Sequence, residues 1–275
     1  MQEYTIGNWI LFFYIYSIMG WCIESTIVPV SRRKIINRGF LTGPFLPIYG
    51  FGALSILVMT VPVRDNFYLV YFFGMIAATV LEYVAGTIME LLFHVKYWDY
   101  SYRKIQFQGK VCLVSSLFWG ALALILTEVI HSPIEEIVLG LPKKTSDLII
   151  IIIGITLCVD LYYATKAAFD LKHTLEKLSI VKVEIDKLQQ QLNKAKESAE
   201  GQLNKLKAAT NKTMDETINF KEKLRRLQSE KESITTKFNG LKKRILRSYP
   251  HVDSKWFHDS LKELKDKFKK KKKDK

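Results

Sequence analysis

The sequence predicts an all-α polytopic membrane protein: five transmembrane helices followed by a long cytoplasmic helical tail with a coiled-coil pattern. Three observations predict it. Five apolar runs, at about 8–28, 44–63, 67–92, 111–130 and 147–169, each come near or exceed the roughly 20 helical residues that cross a bilayer. None reads as an alternating strand, and a span must hydrogen-bond its own backbone, so helices follow. The charge is segregated: residues 171–275 hold 29 basic and 15 acidic side chains, which is the whole formal excess of +14. The expected organisation is a five-helix membrane domain at 1–170, coiled-coil helices at 171–249, and a basic amphipathic helix with a polylysine end at 250–275.

The first run reads as a retained helix, not a cleaved leader. Glu3 stands where a leader is positive, the run is long, and no small-x-small site follows it. The loops set the orientation. Loop 1 carries Arg32, Arg33, Lys34 and Arg38, and loop 3 carries Lys96, Arg103, Lys104 and Lys110. Loop 2 has an Arg64–Asp65 pair, and loop 4 balances Glu135 and Glu136 with Lys143 and Lys144. The positive-inside rule then predicts a multi-pass plasma-membrane protein with its N-terminus outside and its C-terminus cytoplasmic. Cys22, Cys112 and Cys158 all fall within spans and read as buried free thiols, not a disulfide framework.

Between loop 1 and the second run lies "NRGFLTGPFLPIYGFG", residues 37–52. Pro44 and Pro47 suit a first helical turn, and Gly39 and Gly43 permit close-packed or left-handed backbone. The stretch reads as a structured cap-like loop whose backbone donors, near a helix N-terminus, attract an anion. In the third run Gly74, Ala78, Glu82, Gly86 and Glu90 recur every four residues, one stripe that faces protein or a polar cavity. Ionisable groups at mid-membrane cost roughly 2.5–3.5 kcal/mol and mark candidate functional sites. Glu82 fits best. Asp160 in the fifth run has Tyr162, Tyr163 and Lys166 as neighbours to pair with, and Glu128 reads as interfacial.

Loop 3 contains "KYWDYS", residues 96–101. Tyr97, Trp98 and Tyr100 suit the headgroup belt; Asp99 is not needed for anchoring. By topology Glu24, Arg38, Tyr49, Glu90, Trp98 and Asp99 converge on the cytoplasmic interface. No residue set points to a metal or an organic cofactor.

The fifth run continues into charged helical sequence. Leu171, Leu178, Val181, Ile185, Leu188, Leu192, Ala195 and Ala199 form one apolar seam, and Phe220, Leu224, Leu227, Ile234, Phe238, Leu241 and Ile245 form another. The seam weakens near Gly201. Either the arms fold back on each other or a long helix pairs with a second copy of the chain. Pro250 ends that helix, and Ser254 suits an N-cap. Phe257, Leu261, Leu264 and Phe268 then make one apolar face, followed by lysines 269–273. A basic amphipathic helix of this kind predicts attachment to anionic inner-leaflet lipid. No recognised nucleic-acid fold accompanies the charge.

The stretches "GWCIES", "NRGFLTGPFLPIYGFG", "LEYVAGTIMELLF", "WDYS" and "GKVCLVSSLFWG" resemble the putative ABC-transporter type IV (CmpB-like) family of bacterial integral membrane proteins, over about residues 9–170. The resemblance implies a permease-like, multi-span protein. On the matching positions it points to Glu24, Asn37, Arg38, Gly39, Gly43, Pro44, Pro47, Tyr49, Gly50, Glu82, Glu90, Trp98, Asp99 and Gly109. The chain has no G-x-x-x-x-G-K-[ST] motif, so an ATPase partner would be a separate subunit. The leading expectation is a non-enzymatic permease-like component, with Glu82 and Glu24 binding a cation or relaying protons and Arg38 and the glycine-rich loop holding an anionic group. Two alternatives stand beside it: an intramembrane enzyme acting on a lipid headgroup with Glu82 or Asp99 as acid or base, and a membrane-anchored coiled-coil scaffold.

Overall fold

A computed structural model of the chain describes residues 4–26, 37, 39–203, 210–236, 241–249 and 252–273. Helix α1 spans Ile6–Thr26 and α2 spans Pro47–Thr60, extended by a 3₁₀ turn at Val61–Val63. Pro47 occupies the first turn of α2, where a missing N–H costs nothing. Pro44 lies before the helix, in the irregular 39–46 segment, so the second run starts three residues later than expected. Helix α3 spans Phe67–Phe93. Asn66 caps it, its Oδ1 accepting from the N–H groups of Tyr68 and Leu69 at 3.1 and 3.3 Å. It closes on His94, in the left-handed region at φ 55°, whose N–H donates to the Glu90 carbonyl.

A two-stranded antiparallel hairpin follows, β1 Gln106–Phe107 and β2 Val111–Cys112. Helix α4 (Leu113–Ile125) then runs through a π turn at Leu126–Ile130 into α5 (His131–Gly140). The fourth run was expected to stop at 130. Helix in fact continues to Gly140, so Glu135 and Glu136 are helical and not in a loop. Pro133 explains the π turn. Its ring has no N–H and crowds the carbonyl four residues back, and widening the preceding turn relieves both. The His131 N–H accordingly donates five residues back, to Leu126. Helix α6 is continuous over Lys143–Leu203.

Four helices are long and apolar enough to cross a membrane, by length and composition: Ile6–Thr26, Phe67–Phe93, Leu113–Gly140 and Lys143–Lys194; Pro47–Val63 is a shorter apolar helix. The α3 stripe faces protein, with Val70, Gly74, Ala78, Glu82, Glu90 and Phe93 buried. At Gly74 the approach is closest: a Cβ there would lie 2.2 Å from the Ala123 Cβ of α4. Leu11, Phe12, Tyr16, Ile56, Leu57, Ala78 and Ala123 form the shared core of α1 to α4. The outward faces, including Phe72, Val80, Ile88, Phe118 and Ile155, remain apolar and exposed, as a lipid-facing surface requires. All three cysteines are free; Cys112 is buried, but Cys22 and Cys158 sit on the exposed surface.

The chain groups into two units, Met1–Ala168 with Arg244–Asp253, and Phe169–Lys243 with Ser254–Lys275. The segment from α8 (Leu241–Ser248) to Asp253 thus largely belongs with the apolar helices. Ile245, expected on the second tail seam, is buried within that first unit. In the second unit α6 and α7 (Thr210–Thr236) share a core of Val181, Ile185, Leu188 and Leu227, flanked by Phe220, Leu224 and Ile234. Lys223 pairs with Glu184 across it at 3.2 Å. Helix α9 spans His258–Lys273, preceded by Ser254, whose Oγ accepts from the Phe257 N–H at 3.1 Å. Leu261 and Leu264 are fully buried, and Glu263 bridges Lys182 and Lys231. That apolar face is therefore occupied by protein. Pro250, Phe238 and the lysine side chains at 269–273 lie outside the described residues.

Candidate functional site

At one end of the first unit, α1 and α3 finish, α2 and α4 begin, and the 39–46 and 94–112 segments fold over them. Glu82 of α3 is 6% exposed there. Its Oε2 accepts from Trp119 Nε1 at 3.0 Å and Ser115 Oγ at 3.4 Å, and its Oε1 from the Tyr100 hydroxyl at 3.1 Å. Ser115 and Trp119 stand four residues apart on one face of α4. The Cys112 cap holds Ser115, whose N–H donates to the thiol sulfur. Tyr100 lies outside the spans; burial, and then Glu82 beside it, push its hydroxyl above its ordinary range, so it remains a donor. Among the described residues, no lysine or arginine pairs with Glu82.

Trp119 leads on to a second carboxylate. Its ring packs edge-on against Tyr49 of α2 at 5.8 Å, and the Tyr49 hydroxyl donates to Glu24 Oε1 of α1 at 3.0 Å. Glu24, Tyr49 and Glu82 are thus brought together by four helices. Gly50, next along α2, lies against Ser17 and Phe13 of α1.

Glu90 differs. It pairs with Lys110 at 3.2 Å, and Lys110 Nζ also reaches Thr87 and Gln108 and lies over the Tyr83 ring. The hairpin turn positions this lysine: Gln108 and Gly109 both have positive φ, as a primed turn requires. A Cβ at Gly109 would fall 2.2 Å from Asp99 Oδ1. Trp98 donates to the Lys110 carbonyl at 2.8 Å, and Asp99 accepts from the N–H and Oγ of Ser101. Tyr97 is 4% exposed and stacks edge-on with Tyr249. The expectation that Tyr97, Trp98 and Tyr100 form a headgroup belt is therefore corrected. The first packs inside, and the other two hold polar atoms of the site.

The glycine-rich loop has its anion, and it is internal. Asp160 of α6 accepts from the N–H groups of Thr42 and Gly43 at 3.0 and 2.7 Å. Its expected partners were Tyr162, Tyr163 and Lys166. Tyr162 and Tyr163 instead are exposed on the bundle surface. Asn37 knits the loop further: its Oδ1 accepts from Trp21 and from the Gly39 N–H, and its Nδ2 donates to the Thr42 carbonyl. From the C-terminal segment, Arg244 donates to the carbonyls of Phe40 and Leu41, and Ser248 to that of Asn37. Burial lowers the Arg244 guanidinium, and Asp160 opposes that shift. Lys96 and Asp253 exchange both backbone hydrogen bonds nearby. Arg38 lies outside the described residues. Sequence reasoning missed Tyr100, Ser115, Trp119 and Arg244. The i,i+4 pair on α4 carried a readable signal; the Arg244 contact, across some two hundred residues, carried none.

The model of the putative ABC-transporter type IV family matches residues 11–165 of the chain. No curated protein and no solved structure matches it. The match takes in more than half of the chain and all of α1 to α5 except the first five residues of α1. The chain belongs to the putative ABC-transporter type IV family.

Proposed function

We propose that this membrane protein is a permease-like transporter component whose polar site, at the cytoplasmic end of the bundle, binds a cation or exchanges a proton at Glu82. One observation carries the reading: Glu82 is buried, accepts only from neutral donors, and has no basic partner among the described residues. A carboxylate in so apolar a place is costly unless it holds a proton or shares the site with a cation. A carboxylate kept for structure resembles Glu90 more closely, neutralised by Lys110. Glu24, reached through Tyr49 and Trp119, supplies a second oxygen ligand or proton acceptor on the same site.

In this reading Pro47–Val63 is the fifth span, the N-terminus lies outside, and the tail lies in the cytoplasm of a cell with an anionic inner leaflet. The loop of Asn37, Gly39, Gly43 and Pro44 is a structural clasp, because Asp160 already satisfies its donors. Lysines 269–273 draw the tail to anionic lipid by charge alone, since Leu261 and Leu264 are buried in protein. The paired tail arms offer a surface for a second copy or for a separate ATPase subunit. The test compares metabolite and membrane-lipid profiles of a deletion strain with those of its parent. A profile restored by the wild-type gene and not by Glu82→Gln, at equal protein abundance, supports the site. Full restoration by Glu82→Gln refutes it.

A further inference from the structure

At the opposite end of the first unit a second polar cluster is buried in the apolar core. His131 opens α5, directly after the π turn, and is 4% exposed. Tyr16 Oη lies 2.8 Å from its Nδ1, and Tyr4 Oη 3.2 Å from its Nε2. Tyr4 in turn donates to Glu135 Oε1 at 2.6 Å. The rings of Tyr4, Phe12 and Tyr16 enclose the imidazole. The charged groups that bear on it are Glu135, one turn along its own helix, and Arg64 beyond α2.

The hydrogen-bond directions follow from the donor inventory. An ionised carboxylate only accepts, so the single Tyr4 proton points to Glu135. Tyr4 can then only accept from Nε2, which must carry the imidazole proton. Nδ1 is left to accept from Tyr16. The four groups therefore form one oriented row, Tyr16 to His131 to Tyr4 to Glu135, from the core to a half-buried side chain. A neutral imidazole accepts at one nitrogen while donating at the other, so such a row can pass protons without placing a charge on the buried ring.

We infer that Glu135, Tyr4, His131 and Tyr16 form a proton-transfer path between the bundle surface and its interior, independent of what Glu82 binds. In one passage Tyr4 gives its proton to Glu135, Nε2 gives its proton to Tyr4, and Tyr16 gives its proton to Nδ1. Water at the inner end reprotonates Tyr16, and Glu135 releases its proton to bulk water. The imidazole ends as the other tautomer; the reverse shift restores it while carrying a proton back inward, so the row exchanges protons reversibly between its two ends. The π turn is a recurrent feature of functional segments, and here it immediately precedes the imidazole.

The test uses the full chain in lipid nanodiscs, labelled with ¹⁵N-histidine, with His131 assigned by its loss in His131→Gln. A path predicts that the buried Nε2–H exchanges rapidly with water. Glu135→Gln keeps the oxygen that accepts from Tyr4 but cannot take up the proton, so exchange should slow by about tenfold or more with the tautomer and thermal midpoint unchanged. Glu135→Asp, which keeps a carboxylate, should stay within about threefold of wild type. A purely structural network predicts otherwise: a protected Nε2–H in the wild type, or equal exchange in wild type and Glu135→Gln, overturns the proposal.

Discussion

Replacing Asp160 by Ala should open the 39–46 clasp without unfolding the bundle. The carboxylate accepts two backbone N–H groups, at 3.0 Å from Thr42 and 2.7 Å from Gly43. Hydrogen bonds to a charged group contribute about 1.5–3 kcal/mol each when dry. Thr42 is exposed and Gly43 half-buried, so water replaces part of what is lost. A net cost of about 2 kcal/mol is reasonable for the pair. Leu41, a fully buried residue of the loop itself, provides the probe. In a background with Cys22 and Cys158 changed to Ser, a Leu41→Cys thiol reacts only when the loop opens. About 2 kcal/mol should accelerate its alkylation by roughly 30-fold at unchanged reagent concentration. Asp160→Asn should fall between, because its amide has one acceptor oxygen for two donors. Alkylation within about twofold of the parent in Asp160→Ala would show that the neighbouring Asn37 and Arg244 contacts hold the loop unaided.

Three further outcomes follow from the packing and charge. Gly74→Ala drives a methyl to 2.2 Å from the Ala123 Cβ, so it should cost about 1–3 kcal/mol in detergent thermal stability, and Ala123→Gly should recover most of it. In Glu263, burial raises the carboxyl, but the hydrogen bonds and charges of Lys231 and Lys182 outweigh it, and the net shift is downward. A depressed carboxyl stabilises the folded tail above its unfolded value, near pH 4.3, and the contribution disappears as pH falls through the folded value. The side chain is about one-third exposed, so Glu263→Gln should cost only about 0.5–1 kcal/mol at neutral pH and nothing in acid, read by hydrogen exchange of residues 176–188 in the full chain. Cysteines placed at Ile35, Lys104 and Glu230 should resist an impermeant thiol reagent in intact cells; labelling of all three from outside would invert the topology.

Much of the helical frame was legible because its signals are local. The α3 stripe is a four-residue period, and it correctly placed Glu82 and Glu90 against protein. Pro47 marked a helix start by its own chemistry, and Ser254, expected as a cap, instead holds the turn that leads into α9. What failed was long-range. Nothing near Asp160 in sequence announces that its partners are Thr42 and Gly43, or that Arg244 closes the same loop. The amphipathic face of α9 was visible, but periodicity alone cannot say whether lipid or protein covers it; Leu261 and Leu264 are buried by protein. The aromatic residues of 97–100 matched a membrane-interface composition, yet their N–H and O–H groups are used inside, by Glu82 and the Lys110 carbonyl. For the site as a whole, the carboxylates could be read from sequence. The neutral donors that set their environment could not.

The most direct measurement is an infrared difference spectrum of the full chain in lipid, wild type minus Glu82→Gln, recorded as pH and cation concentration are varied. Glu82 has three neutral donors and no basic partner among the described residues, so its carboxyl should respond to both variables. The account predicts a carboxyl signal, absent from Glu82→Gln, that interconverts between protonated and ionised forms with pH and shifts on adding a bound cation. A Glu82 signal that stays fixed under both titrations would contradict it and leave the side chain as packing between α3 and α4.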